Sequence, residues 1–152
     1  MRYWLFKSEP NTFSIDDLQA CPHSIDHWDG VRNYQARNMM RDDMKPGDLA
    51  FFYHSNCKPP GIVGIVEIVK AGYPDFTAQD PDSNYYDPKA TADNPIWHMV
   101  DVQFKEKFDR MITLDELKEM PDLGDFPLTR RGNRLSIMPV EKKTWKQILR
   151  HL

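Results

Sequence analysis

The near-continuous apolar run from Ile62 to Val69, introduced by the turn Pro59-Pro60-Gly61, constrains this chain more than any other stretch. It is far shorter than the roughly 18 residues of a membrane span, and it lacks the alternation of a half-exposed strand. A run of this kind is a strand covered on both faces, so the chain must place layers on either side of a sheet. Its one charge, Glu67, must be paired if buried, and an arginine elsewhere is the expected partner.

The neighbouring segments fill in that sheet. Tyr3 to Lys7 reads as a strand that stops before Glu9-Pro10, Leu49 to His54 as a second, Trp97 to Phe108 as a long one, and Leu135 to Met138 as a short one. Ser14 caps a short helix running to about Ala20, with an acid at its third position and Phe13 as an apolar staple. A second helix is expected from Asn33 to Asp42, with Tyr34, Met40 and Met44 as core contacts and Lys45-Pro46-Gly47-Asp48 as its stop. Thr113 opens a third helix, to about Met120. Lys142 to His151 forms the last, with Trp145, Ile148, Leu149 and Leu152 as its apolar stripe. Residues 72 to 95 hold four prolines and many Asp and Asn residues, which predicts a long ordered loop anchored by Tyr85-Tyr86. Strands outnumber helices without alternating with them. The expected class is therefore α+β, a mixed and mainly antiparallel sheet or small barrel flanked by helices.

A chain of 152 residues with 40% hydrophobic and 28% charged residues has room for one domain with a substantial core, and no low-complexity stretch divides it. The start Met1-Arg2-Tyr3-Trp4-Leu5-Phe6 resembles a signal peptide, but Lys7, Ser8, Glu9 and Pro10 interrupt it too early. Two cysteines without a secretion signal predict reduced thiols in an intracellular, cytoplasmic setting. No partner membrane is expected.

The net charge of −3 gives no bulk attraction for nucleic acid, yet the charges are unevenly placed. Gly30 to Arg41 carries Arg32, Arg37 and Arg41 with no acid, and Pro127 to Arg134 carries Arg130, Arg131 and Arg134 with none. Residues 75 to 93 hold five aspartates against Lys89. Each run taken alone also reads as a solvated face.

Trp28-Asp29-Gly30-Val31-Arg32-Asn33-Tyr34-Gln35-Ala36-Arg37 packs aromatics, guanidiniums, amides and a turn glycine into ten residues. Buried polar heads need partners, so this mixture suits the wall of a recognition pocket better than an interior. Phosphate-loop, nucleophile-elbow and His-Glu-x-x-His motifs are absent, and no cofactor is predicted. Cys21, His23, Asp26 and His27 lie close in sequence, but a proline breaks their spacing and they read as surface residues rather than metal ligands. Cys57 beside His54 is weak context for a nucleophile.

Tyr3 to Pro10, Trp28 to Arg37, Phe52 to Ser55, Gly61 to Val66, Tyr85 to Pro88 and Arg131 to Ser136 together resemble the EVE domain family, in order and over nearly the whole chain. The first of these motifs begins almost at the start of the chain, so the resemblance is to the stand-alone bacterial form, without the basic N-terminal extension of animal members. It implies a PUA-like fold, a small β-barrel with helices around it, and kinship with YTH readers of methylated adenine. The implied activity is binding a modified base in DNA or RNA, with no reaction catalysed, by a chain for which a monomer is expected.

By the same resemblance the base pocket comprises Trp4, Ser8, Trp28, Val31, Asn33, Tyr53, His54, Ser55, Leu135 and Ser136. Lys7, Arg32, Arg131, Gly132 and Arg134 form a phosphate-contacting rim. A base taken from a duplex loses a few kcal/mol of stacking and pairing, and each aromatic contact returns roughly 1–3 kcal/mol. Trp28 and Tyr53, supported by Trp4, are the ring candidates, although all three also read as core. Asn33 and Ser8 supply edge contacts, while Asn33 reads equally as a helix cap. Gly132 lets the backbone approach closely. Two other functions fit the same residues. One is an enzyme acting on a nucleotide or small heterocycle with Glu9, Asp29 or Glu67 as acid or base; the other is an interaction module using the acidic loop.

Overall fold

The computed structural model describes residues 1–121, 123, 124 and 126–152. Six strands, β1 (Tyr3–Ser8), β2 (Ile25–His27), β3 (Leu49–His54), β4 (Gly61–Pro74), β5 (His98–Thr113) and β6 (Ile137–Val140), form one sheet in the order β2-β5-β4-β3-β1-β6. β1 runs parallel to β3 and every other neighbouring pair is antiparallel. The expected barrel is corrected: among the described residues no ladder joins β2 to β6, and the sheet is open.

Side chains alternate across a strand, so each central strand feeds two cores. Trp4 and Phe6 of β1, Ala50 and Phe52 of β3, Val66 and Ile68 of β4, and Val100 and Val102 of β5 meet on the first face. Leu5, Phe51, Tyr53, Ile62, Ile65, Phe108 and Ile112 meet on the second. Both faces being covered explains why the run from Ile62 reads as apolar throughout. Glu67 escapes the interior with its side chain 30% exposed, and its partner is Lys105 on β5 at 3.3 Å rather than an arginine.

Helix α1 (Ile15–Ala20) covers the first face with Ile15 and Leu18. The Ser14 hydroxyl accepts from Asp17 N, and Asp17 Oδ2 accepts from Ser14 N, a reciprocal cap that fixes where the chain turns in. The helix expected after Asn33 divides into α2 (Tyr34–Asn38) and a π turn over Met39–Asp43. Met40 and Met44 are buried there, but Tyr34 lies outside and stacks on Trp97. The second face is covered by α3 (Leu114–Glu119), by Leu123, Phe126 and Leu128, and by α4 (Lys142–Leu149), whose Trp145 stacks on Phe51 at 3.9 Å. The α4 stripe ends sooner than expected, with Leu152 exposed. β6 starts two residues later than expected, and β4 and β5 run further through register shifts.

Candidate functional site

A cleft of about 520 Å³ opens where β1 ends, bordered by Lys7, Ser8, Glu9, Thr12, Phe13, Asp26 to Arg32, Tyr85 and Ser136. Its first wall is a tight turn. Thr12 N and Phe13 N both donate to Glu9 O, and Ser8 Oγ donates to Phe13 O at 2.6 Å. Lys7 N donates to Ser136 O at 2.8 Å, which brings the residues before β6 to the same rim.

The floor is Trp28. Its backbone N–H donates to Val100 O, extending the pairing of β2 with β5. Its ring meets Phe6, Phe13 and Phe52 edge-on, with centroids 5.1, 6.3 and 5.6 Å away. The residue is only 9% exposed, yet its indole N–H finds no acceptor among the described residues.

The opposite wall comes from the long acidic loop. Gly30 has φ +76°, and a Cβ there would lie 2.6 Å from the Tyr85 ring, so only glycine lets that ring settle against the chain. Asp75, fully buried, holds the wall in place by accepting from Gly30 N at 2.9 Å, Thr77 N at 2.9 Å and Arg32 at 3.2 Å. Burial pushes its carboxyl pKa up, but the hydrogen bonds outweigh this and hold it below the usual range. The other guanidinium nitrogen of Arg32 donates to Tyr85 O at 2.6 Å. Ala78, Ala90 and Trp97 give the loop a small core of its own.

Inside the cleft, burial pushes the Lys7 ammonium pKa down and the Asp29 carboxyl pKa up, the latter against the pull of His27. His27 lies between Asp26 and Asp29, with contacts of 3.3 and 3.5 Å. Among the described residues no three His, Cys, Asp or Glu side chains gather so as to hold a metal ion.

Residues 2–151 match the family model described as EVE domain. The chain belongs to the EVE domain family. Thymocyte nuclear protein 1 of Danio rerio is 48% identical over 163 residues, spanning 96% of this EVE domain and 70% of that protein. A solved Pseudomonas putida structure is similar with a TM-score of 0.93 and 49% identity, covering 97% of each chain. Human THYN1 in complex with 5-methylcytosine containing DNA has a TM-score of 0.89 and 45% identity, covering 99% of this chain and 97% of that one.

The cleft of this EVE domain brings together Ser8, Trp28, Val31, Ser136, Lys7 and Arg32 from the residues singled out in the sequence. Others lie elsewhere. Trp4 is core, its indole N–H donating to buried Asp48. Tyr53 faces the second core, where burial pushes its phenol up to about 12. His54 Nε2 accepts from Ile15 N and so caps α1, which suits a neutral ring whose pKa burial lowers. Ser55 N donates to Ser8 O, and Asn33 Oδ1 accepts from Ala36 N as the cap of α2. Leu135 packs against the second core.

On the expected rim, Arg32 is tied to Asp75 and Tyr85 with its side chain 26% exposed. Arg131 and Arg134 are exposed just before β6. Gly132 has open space where a Cβ would stand, so its φ of +78° and not a close approach calls for glycine. Phe13, Thr12 and Tyr85 border the cleft without having been assigned to it from sequence. Tyr85 carried a signal, since Tyr85-Tyr86 stands out within a polar loop.

Proposed function

We propose that this EVE domain is a non-enzymatic nucleic-acid-binding module that takes a modified base, methylated cytosine in DNA foremost, into the cleft floored by Trp28. The observation that carries the reading is the human relative, 45% identical across 99% of this chain, in complex with 5-methylcytosine containing DNA. The cleft volume of about 520 Å³ suits a small guest of this kind. Tyr85 is 40% exposed, Phe13 is half-buried, and both border the cleft that Trp28 floors. Two such rings offset the few kcal/mol of extrusion. Lys7, Arg131 and Arg134 supply the phosphate contacts.

The test is a binding panel of oligonucleotides matched except for one cytosine, 5-methylcytosine, 5-hydroxymethylcytosine or N6-methyladenine, as DNA and RNA, at two salt concentrations. Preference for a methylated over the plain base supports the reading, and equal affinity across the panel overturns it. Arg131→Ala is expected to weaken every oligonucleotide alike and to lower the salt slope by about 1. Turnover of any nucleotide by the purified protein would remove the non-enzymatic part.

A further inference from the structure

Stacking does not choose among bases, because every base has a π-face. Choice requires a group at the wall whose polarity matches one base edge and not another. Asp29 has that character. It directly follows Trp28, borders the cleft, and keeps 28% of its side chain exposed. The ring nitrogen Nε2 of His27 stands 3.5 Å away, too far for a good hydrogen bond. Among the described residues no other side chain or foreign backbone N–H donates to it, whereas Asp75 nearby takes donors from Gly30, Arg32 and Thr77. One aspartate is a spent strut and the other has lone pairs in hand. Burial also makes the ionised form of Asp29 costly, so a donor that reaches it is well rewarded.

We infer, resting on the base-binding reading above, that the Asp29 carboxylate accepts a hydrogen bond from the exocyclic amino group of the guest and so restricts the cleft to amino-bearing bases. Cytosine and adenine derivatives present such a donor, while thymine and uracil derivatives present a carbonyl at that place. A carbonyl facing the carboxylate leaves two acceptors opposed with no proton between them, which a site built for a donor rejects strongly. The sharpest comparison is 5-methylcytosine against thymine, which share the ring and the methyl group and differ in the amino group.

Fluorescence anisotropy on duplexes with the test base opposite an abasic site removes any difference in pairing. The wild type is expected to bind 5-methylcytosine at least about tenfold more tightly than thymine. Asp29→Asn is expected to shrink that ratio to about twofold, because an amide can turn either end toward the base. Asp29→Ser, checked for folding by thermal melting, is expected to weaken 5-methylcytosine binding and to relieve the rejection of thymine, narrowing the ratio from both sides. Equal binding of thymine and 5-methylcytosine by the wild type overturns the inference while a preference for 5-methylcytosine over cytosine leaves the base-binding reading intact. An undiminished thymine gap in a folded Asp29→Asn variant overturns it as well. Loss of the methyl preference with the thymine gap intact instead overturns the modified-base reading alone.

Discussion

Trp4 and Trp28 belong to the same core, yet they finish in opposite ways. The Trp4 indole N–H donates to Asp48 Oδ2, and Asp48 is itself buried and also accepts from Arg2 N and Lys45 N. The indole donor at that end is consumed within the fold. Trp28 is braced by three phenylalanine edges but keeps its N–H without an acceptor among the described residues, at the floor of a cleft. Two buried indoles therefore differ in one thing, whether the donor is answered from inside. A donor answered within the fold is structure; one left unanswered at an open cleft is available to a guest.

The contrast breaks most visibly at the closed end. Trp4→Ala is expected to cost about 3–5 kcal/mol in chemical denaturation, through cavity formation and the loss of one donor to buried Asp48. Asp75→Ala is expected to cost about 2–4 kcal/mol at pH 7, because Arg32, Gly30 and Thr77 lose a shared acceptor. The folded pKa of Asp75 lies below its ordinary 3.8, so its contribution is present above that value and lost as pH falls through the lowered one. The Asp75→Ala penalty should shrink over that acid range.

Trp28→Phe sharpens the comparison from the other side. It keeps an aromatic floor, so the stability loss is expected to be about 1–2 kcal/mol, while binding of a methylated oligonucleotide falls about tenfold. A variant that loses stability as Trp4→Ala does while binding stays unchanged would erase the distinction between the two indoles. The smallest effect is expected at Asp29. Its folded pKa lies above the ordinary 3.8, so ionisation works against folding as pH rises through the raised value. Asp29→Asn should melt higher than wild type at pH 7, and the gain should vanish below pH 3.8.

Local grammar carried much of the architecture. The Ser14 cap, the Thr113 cap and the apolar strands β1 and β3 each announce themselves within a few residues. β2 did not, because Ile25–His27 is three residues long and forms only against β5. The barrel expectation went beyond anything the local signals hold, since closure depends on whether distant edges meet. Within the candidate site, Tyr53 went astray for a reason that strand alternation explains. Phe52 touches Trp28, so its neighbour in the strand must point into the other core. Asn33 was legible as a cap and proved to be one. Arg32 was legible as a cation, but its binding to Asp75, 43 residues away, is a tertiary fact.

The Tyr85 wall hangs from a loop that packs around its own Trp97 and is tied to the Gly30–Arg32 segment by the buried Asp75 carboxylate and by the bond from Arg32 to Tyr85 O. Rebuilding that one appendage would widen, narrow or recolour the opening while leaving all six strands undisturbed. The outline of the opening is thereby set in part by a stretch that lies outside the six strands.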